Sequence, residues 1–486
     1  MKKNIIISMA MMLLGLASCE TKDNHAFTIP AGPETTMMYL EIMGERYQVN
    51  LSTNDTLNLR TLCSEFGPVE FKVLNYEDFK SISIFGIPVT DGLAKITLRN
   101  HIKLKQHWTC EYTTTTGSGS FVINVYPSKA PKYTISGRAE IPGDFYLSFI
   151  YQPLIMKVNN RGELVYYRFE PTDYNGTFKE LGYWDFKKHV FDGKTYYSYH
   201  APDYNFADKA VTGYVPGMRI LMDDHYNPVD TIHALASRDG YLPEGSPLDG
   251  HDFYFFSPTH WIASASYVER EVNGKKLAVA YLQEVDNGEV VFDWWSIDHP
   301  LLKKMGSPTF DTSYDYVHFN SIDVLPDGNW LVSFRALSTI AVINHENGEI
   351  VWHFNGEGDY FSGQHYVRYH ENDGKSYITL FNNGNTKGTT TAVRIDGQIQ
   401  YHYDNHVEAC TNLWTMSPKY FTQACGALDY FGDQGFVMGW GWSTEPGNCT
   451  RLVSEFDSYG HEIFRLDRTD ADPMSVNPSY RCVKCP

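Results

Sequence analysis

The chain has 486 residues, a formal net charge of −18 and an aromatic content of 15%, with 34 Tyr and 28 Phe. This length allows two domains or one large one. The negative charge argues against nucleic acid as a partner, because backbone phosphates bind to basic surfaces. The many aromatic residues favour β-strands, so the composition predicts an all-β protein.

The first residues have the pattern of an export signal. Two lysines precede an apolar run at Ile5–Leu16 that is too short to span a bilayer, and the run leads into Leu-Ala-Ser-Cys19. This ending resembles a bacterial lipobox with Cys19 as the lipidated first residue of the mature protein. We therefore expect a signal peptide at 1–18 and a lipidated tether at 19–25. The protein would then be anchored by lipid to the bacterial cell envelope, facing the periplasm or the cell surface.

Seven cysteines follow Cys19, and an odd number leaves at least one thiol unpaired. Their pairing stays open: they are Cys63, Cys110, Cys410, Cys425, Cys449, Cys482 and Cys485. The last two have the C-x-x-C spacing of redox and zinc sites. No second pair accompanies them, so a terminal disulfide or plain thiols are expected.

One strand–turn–strand pattern recurs six times from Tyr133 onward. Each copy leads from a hydrophobic strand through a turn of Asn, Asp or Gly into a strand that carries aromatic residues. Successive turns lie roughly 50 to 65 residues apart, as in propeller blades of four strands. The copies are Leu154–Phe169, Arg219–Ile232, Tyr281–Trp295, Ala341–Phe354, Ala392–Tyr403 and Arg451–Leu466.

A second set of hairpins alternates with the first set. Turns such as Pro-Asp-Gly at 326–328 mark them, because Asn, Asp and Gly tolerate the backbone angles that turns need. Two hairpins per unit and six units predict a six-bladed β-propeller over 131–486; a large β-sandwich with accidental spacing is the alternative. The clearest members are His251–Val268, His318–Arg335 and His365–Phe381, and the weaker ones are Asp185–Tyr199 and Gly426–Trp442.

Residues 26–127 lack this repeat and alternate apolar and polar positions in short strands, which predicts a small N-terminal β-sandwich. The sequence Pro-Ser-Lys-Ala-Pro at 127–131 is the expected hinge, because proline ends strands and stiffens linkers.

Three histidines occupy matching positions at the start of three of these hairpins. Equivalent positions of a radial repeat converge on its axis, so His251, His318 and His365 are expected to meet there. Pairing across the turns places Arg335 almost opposite His318, and Asn382 opposite His365. Asn320 lies two residues after His318 and so points to the same face of its strand.

Three imidazoles and a guanidinium favour an anion site. A three-histidine zinc site is the rival interpretation. Arg335 argues against it, because a fixed cation repels a metal dication and attracts an anion. We therefore expect no metal, although any one of these histidines taken alone would more often be structural.

The same residues carry a family resemblance. The stretch from His318 to Arg335 (HFNSIDVLPDGNWLVSFR), followed by VINHENGEIVW, resembles the signature blade of bacterial aryl-sulfate sulfotransferases. Gly-Gln-His365, the later LFNNGN, and His251-Asp resemble the flanking motifs. The resemblance implies transfer of a sulfuryl group from an aryl sulfate ester to a phenolic acceptor, without a nucleotide donor or other cofactor. The reaction would be ping-pong through a sulfohistidine intermediate.

By this resemblance His365 is the nucleophile, and His251, His318, Asn320 and Arg335 hold the sulfuryl oxygens and manage protons. We add Asn382 as a substrate-binding residue because of its place opposite His365. Which of His251 and His318 is the general acid and base stays open.

Other functions remain as alternatives. One is a non-enzymatic propeller lipoprotein that binds a glycan or protein ligand. Another is hydrolysis of sulfate esters, although no Cys-x-Pro-x-Arg or Ser-x-Pro-x-Arg motif occurs. The expected partners are an aryl sulfate donor and a phenolic acceptor, with membrane contact only through the lipid and with a homodimer left open.

Overall fold

The structure is a computed structural model. It describes residues 36–42, 45–53, 57–59, 68–97, 108–125, 133–169, 181–209, 213–265, 268–272, 274–305, 314–356, 360–372, 375–396, 409–415, 421–442, 451–469 and 479–485. The expected signal peptide, Cys19, the tether and the hinge at 127–131 lie outside these residues, as do Cys63 and Cys449. In the described part, no helix has the length and hydropathy needed to cross a membrane.

The chain forms two compact units, and the described residues up to 57, together with 68–97 and 108–123, belong to the first. The strands described in this part of the chain are β1 Met37–Ile42, β2 Glu45–Asn50, β3 Leu57–Leu59, β4 Pro68–Val73, β5 Ser81–Ile84, β6 Ile87–Pro88, β7 Leu93–Thr97, β8 Trp108–Thr113 and β9 Ser118–Val125. Of these, β1, β2, β4 and β7 form one antiparallel sheet, and β3, β5, β6, β8 and β9 form a second sheet. Phe71 of the first sheet packs on Trp108 of the second, with ring centroids 5.9 Å apart, so the sheets form a small sandwich.

The second unit contains the remaining strands. They are β10 Tyr133–Gly137, β11 Asp144–Phe149, β12 Leu154–Val158, β13 Leu164–Phe169, β14 Trp184–Phe191, β15 Lys194–Pro202, β16 Pro216–Met222, β17 Pro228–Ile232, β18 Leu248–Asp249, β19 Phe253–Ser257, β20 His260–Ser264, β21 Val268–Val272, β22 Lys275–Val279, β23 Tyr281–Asp286, β24 Glu289–Trp295, β25 Phe319–Val324, β26 Trp330–Phe334, β27 Thr339–Ile343, β28 Ile350–Asn355, β29 His365–Asn372, β30 Lys375–Asn382, β31 Thr391–Asp396, β32 Ala409–Thr415, β33 Ala427–Tyr430, β34 Phe436–Gly439, β35 Arg451–Phe456, β36 Glu462–Arg468 and β37 Ser479–Cys485.

Helices are few in the described residues. The α-helix is α1, Pro300–Met305, and short 3-10 turns lie at Tyr76–Asp78, Tyr204–Lys209, Ser296–Asp298, Arg335–Leu337 and Gly432–Gln434.

Six antiparallel sheets built on four strands each form the blades of a propeller. From the innermost strand outward, blade 1 is β37-β11-β12-β13 and blade 2 is β14-β15-β16-β17. Blade 3 is β19-β20-β23-β24, blade 4 is β25-β26-β27-β28, blade 5 is β29-β30-β31-β32 and blade 6 is β33-β34-β35-β36. The predicted fold class, all-β with a six-bladed propeller after a small sandwich, is confirmed.

Both ends of the unit close the ring. β37, near the end of the chain, pairs with β11 and supplies the inner strand of blade 1, while β10 pairs with β36 at the outer edge of blade 6. Glu455 and Lys484 form a fully buried ion pair at this junction. The Glu455 carboxylate also accepts hydrogen bonds from the backbone N–H groups of Glu140 and Ile141. One carboxylate thus holds the last strand and the segment between β10 and β11.

The predicted hairpins correspond to blade strands with one correction. The hairpins that begin near His251, His318 and His365 are the inner pairs of blades 3, 4 and 5. The copy placed at Ala392–Tyr403 is wrong in its second strand, because β31 pairs with Ala409–Thr415. Residues 397–408 connect these two strands, and this connection is longer than the tight turn that was expected.

The inner strands begin with an unusual backbone. Asp185, His318, Tyr366 and Cys425 have φ between 45° and 70°, a left-handed region that non-glycine residues rarely adopt. β-bulges interrupt the pairing of β14, β25 and β29 close to three of these residues. A bulge re-aims side chains at the end of a strand, so these starts set the direction of the groups at the axis.

Candidate active site

The structure brings the three histidines and the arginine together. The rings of His251 and His318 meet edge to face, with centroids 5.0 Å apart and an interplanar angle of 79°. Arg335, His251 and His318 are all near enough to His365 to lower its pKa. The backbone N–H of Arg335 donates to the carbonyl of His318 at 2.9 Å, as the predicted pairing requires. Blades 3, 4 and 5 therefore contribute to one site.

His251 and His318 each have a carboxylate partner just before them in the chain. Nδ1 of His251 bonds to Asp249 at 2.7 Å, and Nδ1 of His318 bonds to Asp315 at 2.5 Å. The same carboxylates accept the backbone N–H groups of these histidines. Each pair fixes its ring with Nδ1 protonated, and Nε2 is left for chemistry. Burial lowers the pKa of His318, and Asp315 acts in the opposite direction.

His365 has a neutral partner in place of a carboxylate. Its Nδ1 lies 2.7 Å from Oδ1 of Asn383 and 3.1 Å from the carbonyl of Gly363. Its Nε2 accepts a hydrogen bond from the backbone N–H of Cys425 at 3.2 Å. Burial, followed by the charge of Arg335, holds the pKa of His365 well below its ordinary value. The ring is therefore a neutral imidazole with its lone pair on Nε2.

Arg335 begins the 3-10 turn that follows β26. Its Nη2 donates to the carbonyl of Gln423 at 3.1 Å. Burial lowers the pKa values of His318 and His365, and the charge of Arg335 adds to this effect. At Cys425 burial raises the pKa of the thiol to about 12, and the charge of Arg335 acts against it. The guanidinium thus bonds to the segment that leads into blade 6 and is close enough to His365 to act on its charge.

The two predicted asparagines make well-defined contacts. Asn320 is fully buried and donates through Nδ2 to the carbonyl of Gln364, at 2.6 Å. Asn382 accepts the backbone N–H groups of Ser362 and Gly384 and donates to Thr391. Asn320 therefore holds the backbone just before His365, and Asn382 holds the backbone at Ser362 and at Gly384. Their role in substrate binding stays a prediction.

The expected pairing of His365 with Asn382 is off by one residue. The partner of His365 is Phe381, because a bulge between His365 and Arg368 shifts the register. This shift leaves Asn383, rather than Asn382, to contact the imidazole.

A buried ionic network lies next to the histidines. Burial alone would raise the pKa of Asp252, but Arg368 and Lys187 outweigh it and hold that pKa below its ordinary value. Tyr480 connects the network to the site, because its hydroxyl donates to the carbonyl of His251 at 2.7 Å and contacts Arg481. The members are Asp185, Lys187, Arg219, Asp252, Arg368 and Arg481, joined by ion pairs of 2.5 to 3.5 Å.

Several groups at the site were missed from the sequence. Asp249 and Asp315 stand two and three residues before their histidines, and this closeness was the available signal. Asn383 had a weaker signal, since it adjoins Asn382. Gln423 and Cys425 act through backbone groups, which side-chain identity does not reveal.

A zinc site would need several ligand atoms close enough together to share one ion. Among the residues that the structure describes, the group whose ligand atoms could share an ion is Asp223, Asp224 and His225, in the turn between β16 and β17. The three site histidines direct Nδ1 to Asp249, Asp315 and Asn383 instead.

The fold and site define a β-propeller with an axial cluster of histidines and arginine. Residues 267–467 match the model of the arylsulfotransferase (ASST) family, so the family resemblance is confirmed over this segment. The segment includes His318, Arg335 and His365 and begins after His251.

Solved structures show only distant likeness. A protein of unknown function from Bacteroides caccae aligns with a TM-score of 0.38 and 13% identity, covering 71% of this chain and 99% of its own. Virginiamycin B lyase from Staphylococcus aureus aligns with a TM-score of 0.36 and 11% identity, covering 83% of this chain and 100% of its own. No curated protein matches the chain.

Proposed function

We propose that this protein is a nucleotide-independent sulfotransferase that moves a sulfuryl group from an aryl sulfate ester to a phenolic acceptor. The family match supports arylsulfotransferase activity in general. The observation that carries the finer proposal is the difference between the histidines. Two have carboxylate partners, as expected of groups that exchange protons. His365 has an amide partner and a free-base Nε2, as expected of a nucleophile.

In the first half-reaction, Nε2 of His365 gives up the hydrogen bond from the N–H of Cys425 and uses the same lone pair to attack the sulfur of the aryl sulfate. An N–S bond forms as the S–O bond to the aryl group breaks, and the departing phenolate takes the Nε2 proton from the imidazolium form of His251 or His318. Such a transfer passes through a loose transition state with charge spread over the sulfuryl oxygens. The guanidinium of Arg335 is the fixed cation available to stabilise that charge.

In the second half-reaction, an acceptor phenol replaces the first phenol. The same histidine removes its proton, since a free phenol has a pKa near 10. The phenolate oxygen then attacks the sulfur, and the N–S bond breaks to restore His365. No atom or proton is gained or lost over the cycle.

A nitrophenyl sulfate donor tests the proposal. Nitrophenol release that continues only when a phenol is added, with formation of the new phenyl sulfate, is the expected result. Continued release of free sulfate without acceptor would instead indicate a hydrolase. A protein that releases no nitrophenol at all would agree with a non-enzymatic binding protein.

We also propose that Cys19 is lipidated and tethers the protein to the cell envelope. The support is the charged start, the short apolar run and the Leu-Ala-Ser-Cys ending. Intact mass of the membrane-extracted protein, compared with Cys19→Ser, tests this proposal.

A further inference from the structure

The side-chain amide of Asn383 bonds to His365 through its oxygen and to two backbone carbonyls through its nitrogen. The side chain is fully buried. Its Nδ2 donates to the carbonyls of Thr422 and Cys425, at 2.8 and 3.1 Å. These two carbonyls can only accept, so they fix which end of the amide is the oxygen. Oδ1 therefore faces Nδ1 of His365 as an acceptor.

The same contacts fix the proton on His365. Nδ1 lies between two acceptors, Oδ1 of Asn383 and the carbonyl of Gly363, so it must carry hydrogen. Nε2 accepts from the N–H of Cys425, so it must not. The hydrogen bonds form a closed cycle. Nδ1 of His365 donates to Asn383, Nδ2 of Asn383 donates to the carbonyl of Cys425, and the N–H of Cys425 donates to Nε2 of His365.

The chemical nature of this acceptor matters once the ring is sulfated. Attack by Nε2 leaves a positive charge on the imidazole, and the Nδ1 proton becomes acidic. A carboxylate at the position of Asn383 could take that proton, whereas a neutral amide cannot hold it. A ring that keeps the proton leaves as neutral imidazole in the second half-reaction. A ring that loses it must leave as an imidazolate, which is a far poorer leaving group.

We infer that Asn383 is a positioning residue that keeps the Nδ1 proton on His365 through sulfation and so keeps the intermediate reactive. This inference rests on the proposed function and deepens it. It also gives a reason why the amide stands at His365, while carboxylates stand at His251 and His318. The titratable and charged groups that face His365 are Arg335, His251 and His318, and all of them disfavour extra positive charge on the ring. The Asn383 bond acts in the other direction.

The test separates the two half-reactions in the full-length protein. The protein is mixed with nitrophenyl sulfate, freed of donor, and chased with phenol, while the adduct on His365 is followed by mass. Asn383→Asp should form the adduct at a rate within a few fold of wild type. Its decay with phenol should be slower by about tenfold or more, the size expected when an outer partner of a reacting group is changed. Asn383→Leu should slow both steps.

Asn347→Asp is the control. It makes the same chemical change in an exposed amide whose oxygen accepts the N–H of Glu349, as a carboxylate also can, and it should leave both rates unchanged. Adduct that decays equally fast in Asn383→Asp and wild type overturns the inference and leaves the proposed function standing. Wild-type protein that forms no adduct overturns both.

A second measurement covers the case in which Asn383→Asp does not fold. Wild-type protein with 15N-labelled histidine is sulfated, and the resonance of the His365 Nδ1 is assigned by comparison with His365→Ala. A directly bonded proton on Nδ1 of the adduct is expected. An unprotonated Nδ1 in the adduct would overturn the inference.

Discussion

The three site histidines differ in the group that binds Nδ1, which is a carboxylate for His251 and His318 and an amide for His365. Position in the repeat identified the histidines, because equivalent strand starts of a propeller converge. It did not identify Asp249, Asp315 and Asn383, because two of these lie at different distances before the histidine and the third follows another strand. Partners of a site residue have no repeat period of their own. A single sequence therefore shows the reacting groups more readily than the groups that tune them.

Arg335→Lys should lower the rate on the order of a hundredfold, the usual cost of losing one transition-state contact. A guanidinium can hold two sulfuryl oxygens at once, whereas an ammonium is a point charge. Steady-state turnover of nitrophenyl sulfate with phenol measures the effect. Arg161→Lys, on an exposed turn of blade 1, is the control and should match wild type. Near-wild-type turnover of Arg335→Lys would remove this residue from the proposed site.

At the scale of strands, turn signals and alternation predicted the hairpins well, because both partners lie close together in the sequence. The closure of the ring was not predicted. β37 pairs with β11, more than 300 residues earlier in the chain, and a single strand without a nearby partner gives no hairpin signal. The bulges also escaped prediction, and one of them changed the partner of His365 from Asn382 to Phe381.

The Glu455–Lys484 ion pair, where the two ends of the propeller meet, is expected to contribute to stability. Glu455→Leu should destabilise the propeller by about 3–5 kcal/mol, because it leaves a buried ammonium without its partner. It also removes the acceptor of two backbone N–H groups. Thermal unfolding measures the loss. The double variant Glu455→Leu/Lys484→Leu should recover part of it, because no buried charge is then uncompensated. Equal stability of Glu455→Leu and wild type would show that the pair does not hold the ring closed.

For the whole molecule, length, composition and the six-fold repeat were sufficient to predict the fold class. They were sufficient because a propeller repeats one local unit whose hairpins are each visible in the sequence. The site is different, since it draws on blades 3, 4 and 5 and on the segment before blade 6. His251, His318 and Arg335 come from two of these blades. Asn383 follows the second strand of blade 5, and the N–H of Cys425 comes from the segment before blade 6. This last contribution depends on backbone geometry alone.

The central claim is that Nε2 of His365 carries the sulfuryl group between donor and acceptor. Donor alone, mixed with protein, should release one equivalent of nitrophenol per protein in a burst and add the mass of one sulfuryl group. Peptide mapping should place that mass on His365, and His365→Ala should lose both burst and adduct. His318→Ala should slow transfer without moving the label. An adduct on His251 or His318, or intersecting double-reciprocal plots with no adduct, would contradict the account.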